Sequence, residues 1–286
     1  MFHYQNMEIG IALSGGGARG IVHIGVLQAL EDYGITVNRI SGTSMGAIIG
    51  AFYAQGLRPS EIMDIVTERK FVNMFRWRLL KTGLLPLDYL EQRLQEVIPH
   101  NSFEGLKLPL HVCVSNLTTG SSQIIDHGPL HLWIKASATI PVLFPPIMIN
   151  DQQYVDGGLT NNLPVEPLLA HSARTIGVHV NHNMVLPKIS GLKAIAERVY
   201  QLAVYQTVNP RMQACDLIID PVDARKYGTF DFNRADELYE IGYKGTEDVL
   251  FQLTRNLDLD RMQELHQRKK SLTPESKALN SREQML

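Results

Sequence analysis

Cysteine is nearly missing from this chain: there are two in 286 residues, Cys113 and Cys215. That excludes a disulfide framework, and the apolar setting of Cys113 in "LPLHVCVS" points to a buried strand thiol in a reducing compartment. Long apolar runs are missing as well. No uncharged segment approaches the roughly 20 residues that span a bilayer. The N-terminal "MFHYQNMEIGIALSGGG" has no basic start followed by an apolar stretch and a small-residue cleavage site. The expectation is a soluble, cytoplasmic protein. An excess of one charge is missing too. The net charge is −2, so nothing draws the chain toward nucleic acid. There is no internal repeat and no D-x-D-x-D-G calcium loop. What remains is ordinary globular composition, 44% hydrophobic and 20% charged, in a chain long enough for one large α/β domain or two smaller ones.

Hydrophobic periodicity predicts a buried strand over Ile9–Leu13, a helix over Ala18–Tyr33 closed by Gly34, a strand over Val37–Ser41, and a helix over Met45–Gln55 closed by Gly56. Strand–helix–strand–helix implies βαβ units, and hence an α/β fold with a mostly parallel central sheet covered on both faces. Gly46, Gly50 and Ala54 form a small-residue stripe that lets the second helix pack closely on that sheet. Further strands are expected at Leu108–Ser115, Ser122–Asp126, Thr175–Val180 and Leu217–Ile219, the first two joined by a turn at Thr118–Gly120. Helices are expected at Leu87–Val97, Pro129–Ala138, Leu192–Val208 and Ala235–Leu253. Residues 271–286, "SLTPESKALNSREQML", are polar and aperiodic and read as a tail behind a folded domain of residues 1–270.

Two glycine-rich loops follow the first two strands. "GGGARG" spans residues 15–20, and Gly15-x-Gly17-x-x-Gly20 matches the dinucleotide fingerprint, in which backbone N–H groups cradle a pyrophosphate. The same N–H groups could hold an oxyanion that exists only during catalysis. The second loop, Gly42-Thr43-Ser44-Met45-Gly46, is G-x-S-x-G between a strand and a helix. There a sharp turn exposes the serine, and the flanking glycines let the backbone bend. The bland alternative is a serine capping a helix. The dinucleotide reading needs an acidic residue at the end of the second strand, and Ser41-Gly42-Thr43-Ser44 stand there instead. Neighbouring parallel strands end on one edge of the sheet, so the two loops can face each other. Ser44 is the candidate nucleophile and the first loop its candidate oxyanion hole.

The base is harder to read. Asp156-Gly157-Gly158 follows a short strand-like piece and could present a carboxylate to another loop, although Asp-Gly is a common turn dipeptide. A histidine base is open but disfavoured. His171, His179, His182 and His266 lie downstream of Ser44, none in a late glycine-rich loop, and His23 sits within the first helix. His179 and His182 in "HVNHN" could be imagined as metal ligands, but a lone pair at a strand end has no third ligand in sight.

"GGGARG" at 15–20, "GTSMG" at 42–46 and "DGG" at 156–158, in that order, resemble the patatin-like phospholipase family. "HIGVLQALEDYGI", "ASATIPVLFPPI" and "DGGLTNNLPVEPL" extend the likeness, which runs from about Ile9 to Pro221 and more weakly through "DFNRADELYEIGYKGTEDVL". The resemblance implies a three-layer αβα fold and a serine–aspartate dyad without a catalytic histidine. Ser44 falls on the family's nucleophile and Asp156 on its aspartate; Gly15, Gly16, Gly17 and Arg19 fall on its oxyanion-hole loop. Gly20, Gly42, Gly46, Gly157 and Gly158 complete the motifs, Gly158 standing where many members carry alanine. The implied chemistry is hydrolysis of phospholipid, lysophospholipid or neutral-lipid esters through an acyl-enzyme, with no metal or other cofactor. For Asp156 to act as base, burial should raise its pKa. Arg19 could orient the glycine loop, meet a substrate phosphate, or simply face solvent.

Two other readings stay open: a general carboxylesterase or thioesterase with the same dyad, and a nucleotide-binding regulatory module using Gly15–Gly20. The basic, aromatic segment 68–86, "ERKFVNMFRWRLLKTGLLP", reads either as an amphipathic cover over the core or as a lid touching a membrane surface. The expected partners are a lipid or acyl-ester substrate and a peripheral membrane contact.

Overall fold

In the computed structural model, residues 8–69, 71, 72, 87–182 and 188–271 are described, 256–271 as backbone. Most of segment 68–86 and the tail 272–286 lie outside the described residues; Phe71, within that segment, is fully buried.

Strands β1 (Ile9–Leu13), β2 (Arg39–Thr43), β3 (Leu110–Asn116), β4 (Ser121–Ile125), β5 (Ile147–Ile149), β6 (Gln152–Asp156), β7 (Arg174–Val178) and β8 (Leu217–Ile219) form one sheet in the order β5-β6-β3-β2-β1-β7-β8, with β4 paired to β3. The pairings β3-β2, β2-β1, β1-β7 and β7-β8 are parallel, and the flank built from β4, β5 and β6 is antiparallel. β1 and β3 are buried at every position, as strands covered on both faces must be.

The two faces of β1 show what covers them. Gly10 and Ala12 point one way, where Ala12 packs with Leu163, Val165, Leu168 and Val208, and a side chain at Gly10 would strike Leu168 and Ser172. Leu13 points the other way, onto helix α2 (Met45–Gln55), where the missing side chain of Gly50 leaves room for Ile40, Leu110 and Leu13. Helices therefore lie on both sides, giving the three layers expected. The small-residue stripe works as the sequence suggested: a Cβ at Gly46 would stand 2.2 Å from the Leu13 carbonyl oxygen.

Several boundaries differ from expectation. The glycine loop runs first into a turn of 3₁₀ helix, Gly17–Ile21, before α1 proper (Val22–Asp32). β2 runs on to Thr43, past Ser41, because pairing with Leu110–Cys113 of β3 satisfies the backbone of residues that look loop-like. The final helix runs Ala235–Ser271, well past Leu253. Residues Met1–Gly245 form one compact unit and Thr246–Leu286 a second.

Candidate active site

The sheet register brings the motifs together. Thr43 at the end of β2 pairs with Cys113 of β3, and Asp156 at the end of β6 pairs with Val114, the next residue along. Ser44 and Asp156, far apart in sequence, thus arrive side by side.

Ser44 occupies a sharp elbow, with φ 54° and ψ −122°. A non-glycine residue there costs of order 1–3 kcal/mol and persists only where surroundings enforce it. The enforcing groups are visible. A Cβ on Gly42 would lie 2.6 Å from the Gly46 carbonyl. The Ser44 N–H donates to Ser137 Oγ at 2.9 Å, and Ser137 Oγ donates to the Cys113 carbonyl at 2.6 Å. Ser44 precedes α2, yet its side chain makes no capping hydrogen bond. Its hydroxyl lies beside the Asp156 carboxylate instead, close enough to lower that group's pKa.

Asp156 is buried, with its side chain only 2% exposed. Burial pushes its carboxyl up to about 6, against the pull of hydrogen bonds from Ser44, the Gly158 N–H (2.8 Å) and the Tyr200 hydroxyl. This is the direction expected from sequence. The Tyr200 partner was not foreseen. Burial of the Tyr200 hydroxyl, followed by the adjacent Asp156 charge, holds it well above its ordinary range, so at neutral pH it is a neutral donor. Gly158 makes room for it: a Cβ there would stand 3.0 Å from Asp156 Oδ1 and 3.2 Å from Tyr200 Oη.

The glycine loop lies opposite. Its first residue narrows the expectation for the oxyanion hole, because the Gly15 N–H is already donated to Asn162 Oδ1 at 3.1 Å, while Asn181 Nδ2 donates to the Gly15 carbonyl at 2.6 Å. Ala18 N–H is donated to the Thr229 carbonyl at 2.8 Å. Among the described residues, the N–H groups of Gly16 and Gly17 have no acceptor. Gly15 is thus an anchored hinge of the loop, and Gly16 and Gly17 carry its unspent donors. Arg19 does not face solvent freely. Burial lowers its pKa to about 10 despite the nearby Asp231, and it reaches back to the Gly16 carbonyl and Thr229 Oγ1 at 3.5 and 3.4 Å. It braces the loop.

Gly16, Ser44 and Asp156 open onto one cavity of about 290 Å³. Ile140, Leu143, Val204 and Phe230 supply apolar wall, and Arg225 and Lys226 supply positive charge. His23, by contrast, is fully buried, its Nε2 at 2.7 Å from the Ser14 carbonyl, and burial pulls its pKa to about 4. It is a neutral core residue behind the loop. Cys113 is buried as expected.

The fold and site define an α/β protein with a strained serine elbow paired to a buried carboxylate and faced by a glycine loop. The sequence model of the patatin-like phospholipase family matches residues 11–169. The chain belongs to that family. It is 28% identical over 281 residues to the lysophospholipase NTE1 of Mycosarcoma maydis, covering 85% of this chain and 15% of that protein. It is 32% identical over 178 residues to an uncharacterized NTE family protein of Mycobacterium bovis, covering 61% of this chain and 49% of the relative. The chain thus spans less than a fifth of the fungal lysophospholipases it matches and about half of the mycobacterial protein. Among solved structures, VipD from Legionella pneumophila overlays with a TM-score of 0.45 at 15% identity, over 82% of this chain and 67% of that one.

Proposed function

We propose that the chain is a serine acylhydrolase of lipid esters, with Ser44 as nucleophile and Asp156 as its base. The observation that carries this reading is the placement of the strained Ser44 beside a buried carboxylate whose pKa is raised to about 6. A carboxylate of ordinary pKa is a poor base toward an alcohol; raising its pKa while keeping it ionised at neutral pH brings it nearer the operating range of a general base. Asp156 takes the proton as Ser44 attacks the ester carbonyl. The Gly16 and Gly17 N–H groups, and the start of α2, receive the negative charge on oxygen. The alcohol leaves with a proton from Asp156, and water then cleaves the acyl-enzyme with Asp156 again as base. Tyr200 holds the carboxylate toward Ser44 through both steps.

The cavity supports an amphipathic substrate: Leu143, Val204 and Phe230 fit an acyl chain, and Arg225 and Lys226 fit an anionic head group. A membrane contact is the second part of the proposal. The helix Leu192–Gln206 supplies Tyr200 and Val204 to the cavity. It also exposes Leu192, Ile195, Val199 and Leu202, at 85, 49, 61 and 38%. These sit at i, i+3, i+7 and i+10, one stripe suited to a lipid surface.

The test is fatty-acid release from a lysophospholipid, a diacyl phospholipid, a p-nitrophenyl ester and an acyl thioester. The reading expects turnover of at least one lipid ester that disappears in Ser44→Ala and Asp156→Asn. Turnover confined to the small ester or the thioester would move the assignment to a general esterase or thioesterase. Turnover surviving Ser44→Ala would end it.

A further inference from the structure

The pair of histidines that lacked a third ligand in sequence acquires one in the fold. β7 and β8 are parallel neighbours paired through Val178↔Ile219, so the residues just past their ends, His179 and Asp220, stand together. His179 N–H is donated to the Ile219 carbonyl at 3.0 Å, which fixes the alignment. His179 Nδ1 lies 3.0 Å from Asp220 Oδ1, and His182 Nε2 lies 2.8 Å from that same oxygen. All three donor atoms lie within 4.8 Å of one another.

We infer that His179, His182 and Asp220 form a binding site for a divalent first-row transition-metal ion beside the catalytic cavity. Two imidazoles and a carboxylate are a donor set such ions take, zinc foremost, with a fourth position left for water or an anion. Ligand atoms about 2.0–2.2 Å from a tetrahedral ion stand roughly 3.3–3.6 Å apart, so small side-chain adjustments would seat one. The orientation of His182 points the same way. At 2.8 Å from Asp220 Oδ1 its Nε2 makes no aligned hydrogen bond and is left without a partner, although the atom is buried.

The site sits where an ion would matter. The short loop from His179 to His182 contains Val180, whose N–H is donated to Ser14 Oγ at 3.2 Å, and Asn181, which holds the Gly15 carbonyl. His182 also lines the cavity. An ion clamping both ends of this loop to Asp220 stiffens the support of the glycine loop without touching the reacting atoms. Its role is positional.

The test is zinc titration by calorimetry on the chelator-stripped full chain, repeated with cobalt and read by its visible absorption. Wild-type chain should take one equivalent of zinc, give the intense d–d bands of low-coordinate cobalt, and gain Tm with metal. His182→Gln and Asp220→Asn should each weaken binding by roughly 100-fold and lose the cobalt bands. Should Asp220→Asn not fold, His182→Gln carries the comparison. No binding tighter than about 1 mM to the wild type, or binding equal in wild type and His182→Gln, would overturn the site. None of these readouts depends on hydrolysis.

Discussion

Replacing Asp156 by asparagine separates what the carboxylate does for chemistry from what it costs the fold. The folded carboxyl keeps its proton up to pH about 6, whereas an unfolded aspartate releases it near pH ~3.9. Between those values the native state binds more protons than the unfolded state, so stability falls as pH rises, and above about 6 the penalty is constant. A difference of about two pH units corresponds to about 3 kcal/mol. Asparagine keeps a side-chain oxygen to accept from Ser44 and Tyr200 but never ionises. Asp156→Asn should therefore be more stable than wild type by up to about 3 kcal/mol at pH 8, or roughly 6–12 °C in Tm for a domain of this size. The advantage should shrink through pH 6 to 4 and vanish below. Activity should fall by at least ~10²-fold, the contribution of a positioned general base. Thermal unfolding of both proteins from pH 4 to 8 measures this directly. A variant less stable at pH 8, or an offset that does not change with pH, would refute the reasoning that burial governs this group.

Tyr200→Phe removes a hydrogen bond that favours the ionised carboxylate, so the acid limb of the kcat/KM profile should move upward by up to about one pH unit; a limb that stays put would remove Tyr200 from the site. Gly46→Ala places a methyl 2.2 Å from the Leu13 carbonyl, and the elbow should open at a cost of about 1–3 kcal/mol, seen as a lower Tm with loss of turnover; wild-type behaviour would mean that the α2–β1 contact is looser than described. Val199→Asp, on the exposed stripe of Leu192–Gln206, should reduce sedimentation with anionic vesicles while leaving Tm unchanged; equal sedimentation would place the membrane contact elsewhere.

Much of the site could be read from local signals. α2 has the bounds expected of it, Met45–Gln55, with Gly56 closing it at φ 98°, because an apolar run bracketed by an elbow and a left-handed glycine admits one solution. The strands Ile9–Leu13 and Leu217–Ile219 likewise match. β2 runs past its expected end because Gly42 reads as a turn residue in sequence while the sheet pairs its backbone and that of Thr43. Tyr200, Asn162 and Ser137 were illegible for a deeper reason. Each acquires its part only through contacts that tertiary structure creates: with the Asp156 carboxylate, the Gly15 N–H and the Ser44 N–H. Asp220 is the same case. "HVNHN" announced two donors, but the third arrives from the next strand of the sheet.

The most direct test of the central claim is labelling by a fluorophosphonate, read by intact mass, with wild type and Ser44→Ala side by side. A single adduct on the wild type and none on the variant is the predicted result, because only a hydroxyl activated by Asp156 at the elbow attacks phosphorus. Equal labelling of both chains would place the nucleophile elsewhere, and no labelling of either would deny that Ser44 is activated at all.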